Sequence, residues 1–365
     1  MSSNWKVMMY TAVVVVAALL APNASVAPVR EFTLDPVEEF IDTLPLEDKI
    51  GQMFMVGLFT EDIASWKEEF LEEKNFGGVI LHPYNMQDAN QVMALTATLQ
   101  NGAKYEELPL FIAVNQEGGE VTGVRFAKEV RGGREVQDED TAFEVGLARA
   151  NELKELGINV NFAPVLDVVQ EPNSFLYWRS FSGDPETVAR IATSYIQGQQ
   201  EGGIISGGKH FPGHGIALGD SHVNIAVSSA ARKDLGNHLL PFRAAAKGGM
   251  DMVMVTHMLF PNIDKEHIVP LSKVFMEEML RKEIGFEGVA ITDDLEMRAV
   301  RNLASIPEAA ILAIEAGVDV VIISGIEEHQ RLAYQALLEA VKSGKISEER
   351  IDQSVRRILL LKAKI

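Results

Sequence analysis

MVMVTH (252–257), GVAITD (288–293) and VDVVIIS (318–324) are three short runs, each mostly apolar and each ending in a polar or ionisable residue. Runs that are nearly continuous in apolar residues, rather than alternating, suit strands buried on both faces of a parallel sheet. Five more precede them: GQMFMVGLF (51–59), GGVILHP (77–83), LFIAVN (110–115), VNFAPVLDVV (160–169) and IISGGKH (204–210). The longer stretches between them are rich in helix formers. Glu38–Lys49 follows a proline, and Asp184–Glu201 opens with Asp184-Pro185, a good cap and first-turn pair. Lys273–Ile284 and Pro307–Ala316 come next, the latter stopping at Gly317, a natural C-cap. Ser347–Lys364 closes the chain, with Glu348 and Glu349 in its first turn and basic residues toward its end. Eight strand–helix units in 365 residues predict an α/β fold, a (β/α)8 TIM barrel, ahead of an open doubly wound sheet. No linker, low-complexity tract or composition break follows residue 31, so residues 28–365 read as one catalytic domain.

Composition narrows the function. The formal net charge of −19 argues against a nucleic-acid partner, because phosphate binding needs clustered Lys and Arg. With no cysteine, disulfides, thiolate metal sites and a lipidated cysteine are excluded. At the N-terminus, Lys6 supplies a positive charge, Val7–Ala21 carries none, and Ser25-Val26-Ala27 offers small residues to a signal peptidase. That pattern is a secretory leader over residues 1–27, and the apolar run is shorter than the about 18 residues a membrane span needs. The expectation is a mature chain starting near Pro28, secreted or periplasmic, without stable membrane insertion once the leader is cleaved. An uncleaved leader serving as a membrane anchor is the alternative. Oligomeric state leaves no mark in the sequence.

In a (β/α)8 barrel the active site lies at the C-terminal ends of the strands. Most of the runs end in polar groups: Asn115-Gln116-Glu117 after the third, Asp167 in the fourth, Lys209-His210 in the fifth, Thr256-His257, Asp293-Asp294 and Ser324-Gly325 in the last three. The densest segment is KHFPGHGIALGDSH (209–222). His210 and His214 sit four apart, but Pro212 and Gly213 between them rule out a helical zinc motif. A metal site from His210, His214, Asp220 and His222 is one reading. The better one pairs Asp220 with His222, two residues apart on a glycine-rich loop. A carboxylate beside an imidazole fixes its tautomer and raises its pKa, which makes His222 a usable general acid–base. Of Asp293 and Asp294 only one side chain can point into the barrel mouth, since side chains alternate along a strand; spacing does not say which.

Together the motifs GGVIL (77–81), QEGG (116–119), NFAPVLDV (161–168), RSFSGDP (179–185), KHFPGHG (209–215), DSH (220–222) and ITDDLEM (291–297) resemble glycoside hydrolase family 3, in its β-N-acetylglucosaminidase branch. The resemblance spans nearly all of the chain after the leader. It implies a barrel enzyme acting on a carbohydrate substrate, peptidoglycan fragments or chitin-type oligosaccharides, with no cofactor and no metal. It also implies that Asp293 is the nucleophile, that His222 is the acid–base with Asp220 as its partner, and that Arg179, Lys209 and His210 bind the sugar. A His–Asp pair in place of the second carboxylate departs from the usual two-carboxylate scheme.

The chain also departs from the family. Where the family reads DQEGG-R-V-x-R, Asn115 replaces the Asp, Glu120 the first Arg and Gly123 the second. Replacing Asp by Asn removes a charged acceptor, and losing an Arg removes a planar donor fork. Arg125 is near in the sequence and is a candidate to compensate. Ile216 stands where the family tends to have Asp after KHFPGHG. These losses leave open a β-glycosidase with a shifted sugar preference, or a secreted sugar-binding protein without turnover.

Overall fold

The computed structural model describes residues 36–59, 63–105, 108–217, 219 and 224–365. The anticipated leader, residues 1–27, lies outside them. Eight strands close into an all-parallel barrel: β1 (Phe54–Gly57), β2 (Gly78–Ile80), β3 (Phe111–Val114), β4 (Val160–Asn161), β5 (Ile205–Phe211), β6 (Met252–Val255), β7 (Val289–Asp294) and β8 (Val320–Ile323). Each strand pairs with its neighbours in chain order, as in Val79↔Ile112 and Met252↔Val289. The ring closes where β1 meets β8 at Met55↔Ile322. All eight apolar runs of the sequence carry one of these strands. Their residues are almost all buried, because the barrel interior covers one face and the helical ring the other.

The helices begin where side chains can satisfy their free N–H groups. Asp184 accepts from Thr187 N (2.8 Å) to start Pro185–Glu201, and Ser347 accepts from Arg350 N (3.2 Å) to start Glu348–Lys362. Ile306–Ala316 ends at Gly317, whose φ of 117° only glycine takes without strain. The expectation of one helix over Glu38–Lys49 is corrected: Pro36–Thr43 and Leu46–Gln52 are separate, because Pro45 has no N–H to continue the first and sits at the start of the second. The run Val160–Val169 is a strand only at Val160–Asn161. Pro164 cannot donate to a ladder, and the chain rejoins the barrel through a single bridge, Val165↔Lys209. Among the described residues no helix is long and apolar enough to cross a membrane.

The N-terminal face of the barrel is locked by charge. Asp319, fully buried ahead of β8, accepts from Arg281 (2.5 Å), Arg357 (2.9 Å), Ser354 (2.7 Å) and the Ala290 amide (2.9 Å), tying two helices to two strands. On the same face Lys362 is buried, its Nζ 2.8 Å from the Gly77 carbonyl and 4.9 Å from the centre of the Phe111 ring. Burial pushes its pKa down to about 7. Between about pH 7 and pH 10.4 the unfolded chain therefore holds a proton that the folded chain has released, so stability rises with pH across that window. Lys362→Met is expected to remove this slope, so that its stability relative to wild type is greater at pH 6 than at pH 10 by about 4 kcal/mol. Urea midpoints at both pH values check this; a wild-type slope in the variant would remove Lys362 as the source.

Candidate active site

A cleft of about 540 Å³ opens at the C-terminal end of the strands, lined by residues from the ends of β2, β3, β5, β6 and β7. At the end of β7 the strand's alternation separates two neighbouring carboxylates. Asp293 lines the cleft, partly exposed, and its Oδ1 accepts from the Asp294 amide (2.8 Å). Asp294 turns toward β8, where it accepts from the Ser324 hydroxyl and from the Glu296 amide (2.9 Å). Burial pushes the Asp294 carboxyl up to about 6. His257, at the end of β6, donates from Nε2 to the Asp294 carbonyl (2.9 Å) and supports the same turn.

Across the cleft from Asp293 stands a buried charged trio. Glu117, just past β3, accepts from Arg179 through both carboxylate oxygens (2.8 Å each) and lies 2.5 Å from Lys209 Nζ in β5. Burial alone would raise the Glu117 carboxyl, but the two cations outweigh it and hold it down at about 2. Burial lowers the Lys209 ammonium, with Glu117 and Asp293 pulling the other way, and Asp293 also favours the charge on Arg179, so the cleft carboxylate is electrostatically coupled to both cations. Lys209 Nζ also donates to Asn115 Oδ1 (2.6 Å), so the asparagine keeps an acceptor toward the lysine.

A second buried carboxylate sits behind these groups. Asp167 Oδ2 is 2.7 Å from His210 Nδ1 and accepts from the His210 amide (3.2 Å), while Oδ1 accepts from the His214 amide (2.5 Å). Burial would raise the Asp167 carboxyl, and the two histidines more than reverse that, so it stays ionised. An ionised carboxylate only accepts, so His210 Nδ1 carries a proton and donates it to Asp167. His210 lines the cleft. His214 is buried, and loss of solvation takes its pKa down to about 4 against the pull of Asp167, so it is neutral at pH 7.

The anticipated residues thus divide. Asp293, Arg179, Lys209 and His210 meet in one cleft. Asp220 and His222 lie outside the described residues. Among the described residues no three of His, Asp and Glu gather as a metal-ligating group. Glu117 and Asp167 are named by the sequence only as polar strand ends, with no role attached. Both stand at strand ends within quoted motifs, and their role as anchors for Arg179, Lys209 and His210 emerges only when the barrel closes.

The departures from the family pattern are also placed. Glu120, Gly123 and Arg125 line the cleft, with Arg125 exposed. Gly123 donates to the Asn115 carbonyl (3.0 Å), and a Cβ at 123 would come within 2.8 Å of that oxygen. A side chain there requires the backbone to move, so the missing arginine is a matter of local chain path as well as of residue type. Ile216 packs partly buried against the hydrophobic core.

Residues 45–361 match the model of the Glycosyl hydrolase family 3 N terminal domain. A protein named Beta-hexosaminidase from Nitrosomonas eutropha is 38% identical over 258 residues, covering 68% of this chain and 73% of its own length. Beta-hexosaminidase A of Pseudoalteromonas piscicida is 32% identical over 328 residues, covering 81% of this chain and 55% of its own. Among solved structures, the glycoside hydrolase family 3 beta-N-acetylglucosaminidase from a Paenibacillus species superposes with a TM-score of 0.84 at 40% identity, over 88% of this chain and 62% of that one. The chain therefore spans just over half of the Pseudoalteromonas protein and under two thirds of the Paenibacillus one.

Proposed function

The chain belongs to glycosyl hydrolase family 3, and on that premise we propose that it is a retaining, exo-acting β-N-acetylhexosaminidase that releases terminal β-linked N-acetylglucosamine. One observation carries the reading: a cleft-lining carboxylate, Asp293, in the same cleft as Arg179 and Lys209 and electrostatically coupled to both. In this reading Asp293 attacks the anomeric carbon and forms a covalent glycosyl-enzyme as the bond to the leaving oxygen breaks. His222, partnered by Asp220, protonates that oxygen; once neutral, it takes a proton from the water that hydrolyses the intermediate. The assignment of that pair rests on the DSH motif. It is helped by the neutrality of His214, which removes the neighbouring imidazole as a proton donor at pH 7. Arg179 and Lys209 donate to sugar hydroxyls, and His210 hydrogen-bonds one through Nε2. No step calls for a metal or cofactor.

A second reading, the same chemistry on a different sugar, is favoured by Asn115 and Gly123. Arg125 would then supply the donor fork from a new position on the cleft wall.

The test is a panel of aryl β-glycosides: N-acetylglucosaminide, N-acetylgalactosaminide, glucoside and xyloside. Preference for the first, with the released sugar initially in the β configuration, is the expected result. Preference for another member would support the second reading, and sugar binding without turnover would make the protein a binder. On His222→Ala, alkyl glycosides should lose far more rate than aryl glycosides, since only poor leaving groups need the proton. Equal losses would remove His222 as the donor.

A further inference from the structure

The rim of the cleft is built unlike its floor. Phe59 follows β1 and is 52% exposed, and Tyr84 follows β2 and is 55% exposed. His82, between β2 and Tyr84, lines the cleft. The His82 and Tyr84 rings stack, with centroids 5.4 Å apart and planes 18° from parallel; Phe59 lies 5.0 Å from Tyr84 and 6.2 Å from His82. Single exposed aromatics are common and need no explanation, whereas three packed together beside a cleft leave apolar area uncovered at a binding site. The two loops that carry them are tied by one side chain. Asn85 donates from Nδ2 to the Leu58 carbonyl (2.8 Å) and accepts from the His82 amide through Oδ1 (2.9 Å). A platform held in this way loses little freedom when a ligand covers it.

We propose that Phe59, His82 and Tyr84 form a stacking platform for the sugar ring on the leaving-group side of the scissile bond. The inference rests on the glycosidase reading of the same cleft and adds to it a preference for the substrate's second ring. The charged floor, with Asp293, Arg179 and Lys209, takes the terminal sugar, so the leaving group of an exo-acting enzyme is directed to the rim. A β-linked pyranose presents an apolar face of axial C–H bonds, and that face complements the electron-rich faces of aromatic rings. None of the three platform residues is cationic at pH 7: burial lowers the pKa of His82, which keeps its ring neutral. The platform thus selects a neutral second sugar, such as N-acetylglucosamine in a chitin-type oligomer, by shape and apolar area.

The experiment compares methyl β-N-acetylglucosaminide, which has no second ring, with N,N′-diacetylchitobiose, on wild type, Tyr84→Ala and Tyr84→Phe. In Tyr84→Ala, kcat/KM for the disaccharide should fall about tenfold, while the methyl glycoside stays within about twofold. Tyr84→Phe should restore the disaccharide. Equal losses on both substrates, or no loss on the disaccharide, would overturn the platform. Should wild type cleave neither substrate, the hydrolase reading fails, and binding decides the platform separately. Tyr84→Ala must then weaken chitotriose relative to N-acetylglucosamine, and an unchanged ratio overturns the proposal.

Discussion

Asp293→Ala is expected to lower kcat on an aryl β-N-acetylglucosaminide by at least about 10³-fold, ~4 kcal/mol of barrier, with the urea midpoint little changed. The expected size of the effect follows from what Asp293 does and does not touch. Its carboxylate lines the cleft, oriented by the Asp294 amide, so its loss removes the attacking atom without opening a packed core. Asp294 is the control. Its carboxyl is bound to Ser324 and the Glu296 amide, which places it in the turn that joins β7 to the β8 loop. Asp294→Ala should therefore act mainly on stability. Azide gives a sharper readout. With the carboxylate gone and an activated β-glycoside bound, a small anion can enter where Asp293 stood. It attacks the face opposite the leaving group, and the product is the α-glycosyl azide. Wild-type turnover in Asp293→Ala, or a β-configured azide product, would reject Asp293 as the nucleophile.

What was legible beforehand follows a physical line between local and non-local information. The eight strands could be read because burial on both faces writes itself into a short run as continuous Val, Ile, Met and Leu, whatever the rest of the chain does. Asp184-Pro185 and Gly317 could be read because capping is decided within a single turn. Pro45 and Pro164 lie inside two of these segments, and the helix formers around the first and the apolar residues around the second mask them in a reading by pattern. The choice between Asp293 and Asp294 needed the phase of β7 against its neighbours, which no local pattern carries. The trio was further out of reach. Glu117 and Arg179 are 62 residues apart, and only barrel closure brings them together with Lys209. Gly123 shows the limit from the other side. Its lost arginine is visible in the sequence, but the carbonyl of Asn115 that would collide with any side chain there is not.

Glu117→Gln is expected to destabilise the protein by about 3–5 kcal/mol at pH 7, the cost of leaving buried cations without their counter-charge. Arg179 and Lys209 are both largely withdrawn from solvent, and the bidentate and 2.5 Å contacts of Glu117 are what make that tolerable. The pH dependence gives an independent check. The folded-state pKa of about 2 lies below the unfolded value of about 4.3, so the stability due to this group is fully present above about pH 4.3. It is lost as the pH falls toward 2, and amounts to about 3 kcal/mol. Urea midpoints between pH 7 and pH 2 should therefore fall less steeply in Glu117→Gln than in wild type. Asp167 keeps its own share of the acid loss in both proteins, since it too is buried and held ionised. If the single variant does not fold, Glu117→Gln/Lys209→Met removes one cation together with the carboxylate. It should regain part of the stability without regaining sugar affinity, because a charge is rebalanced while a donor is lost. A Glu117→Gln protein within 1 kcal/mol of wild type, with an unchanged acid limb, would mean that the two cations are held by something other than this carboxylate.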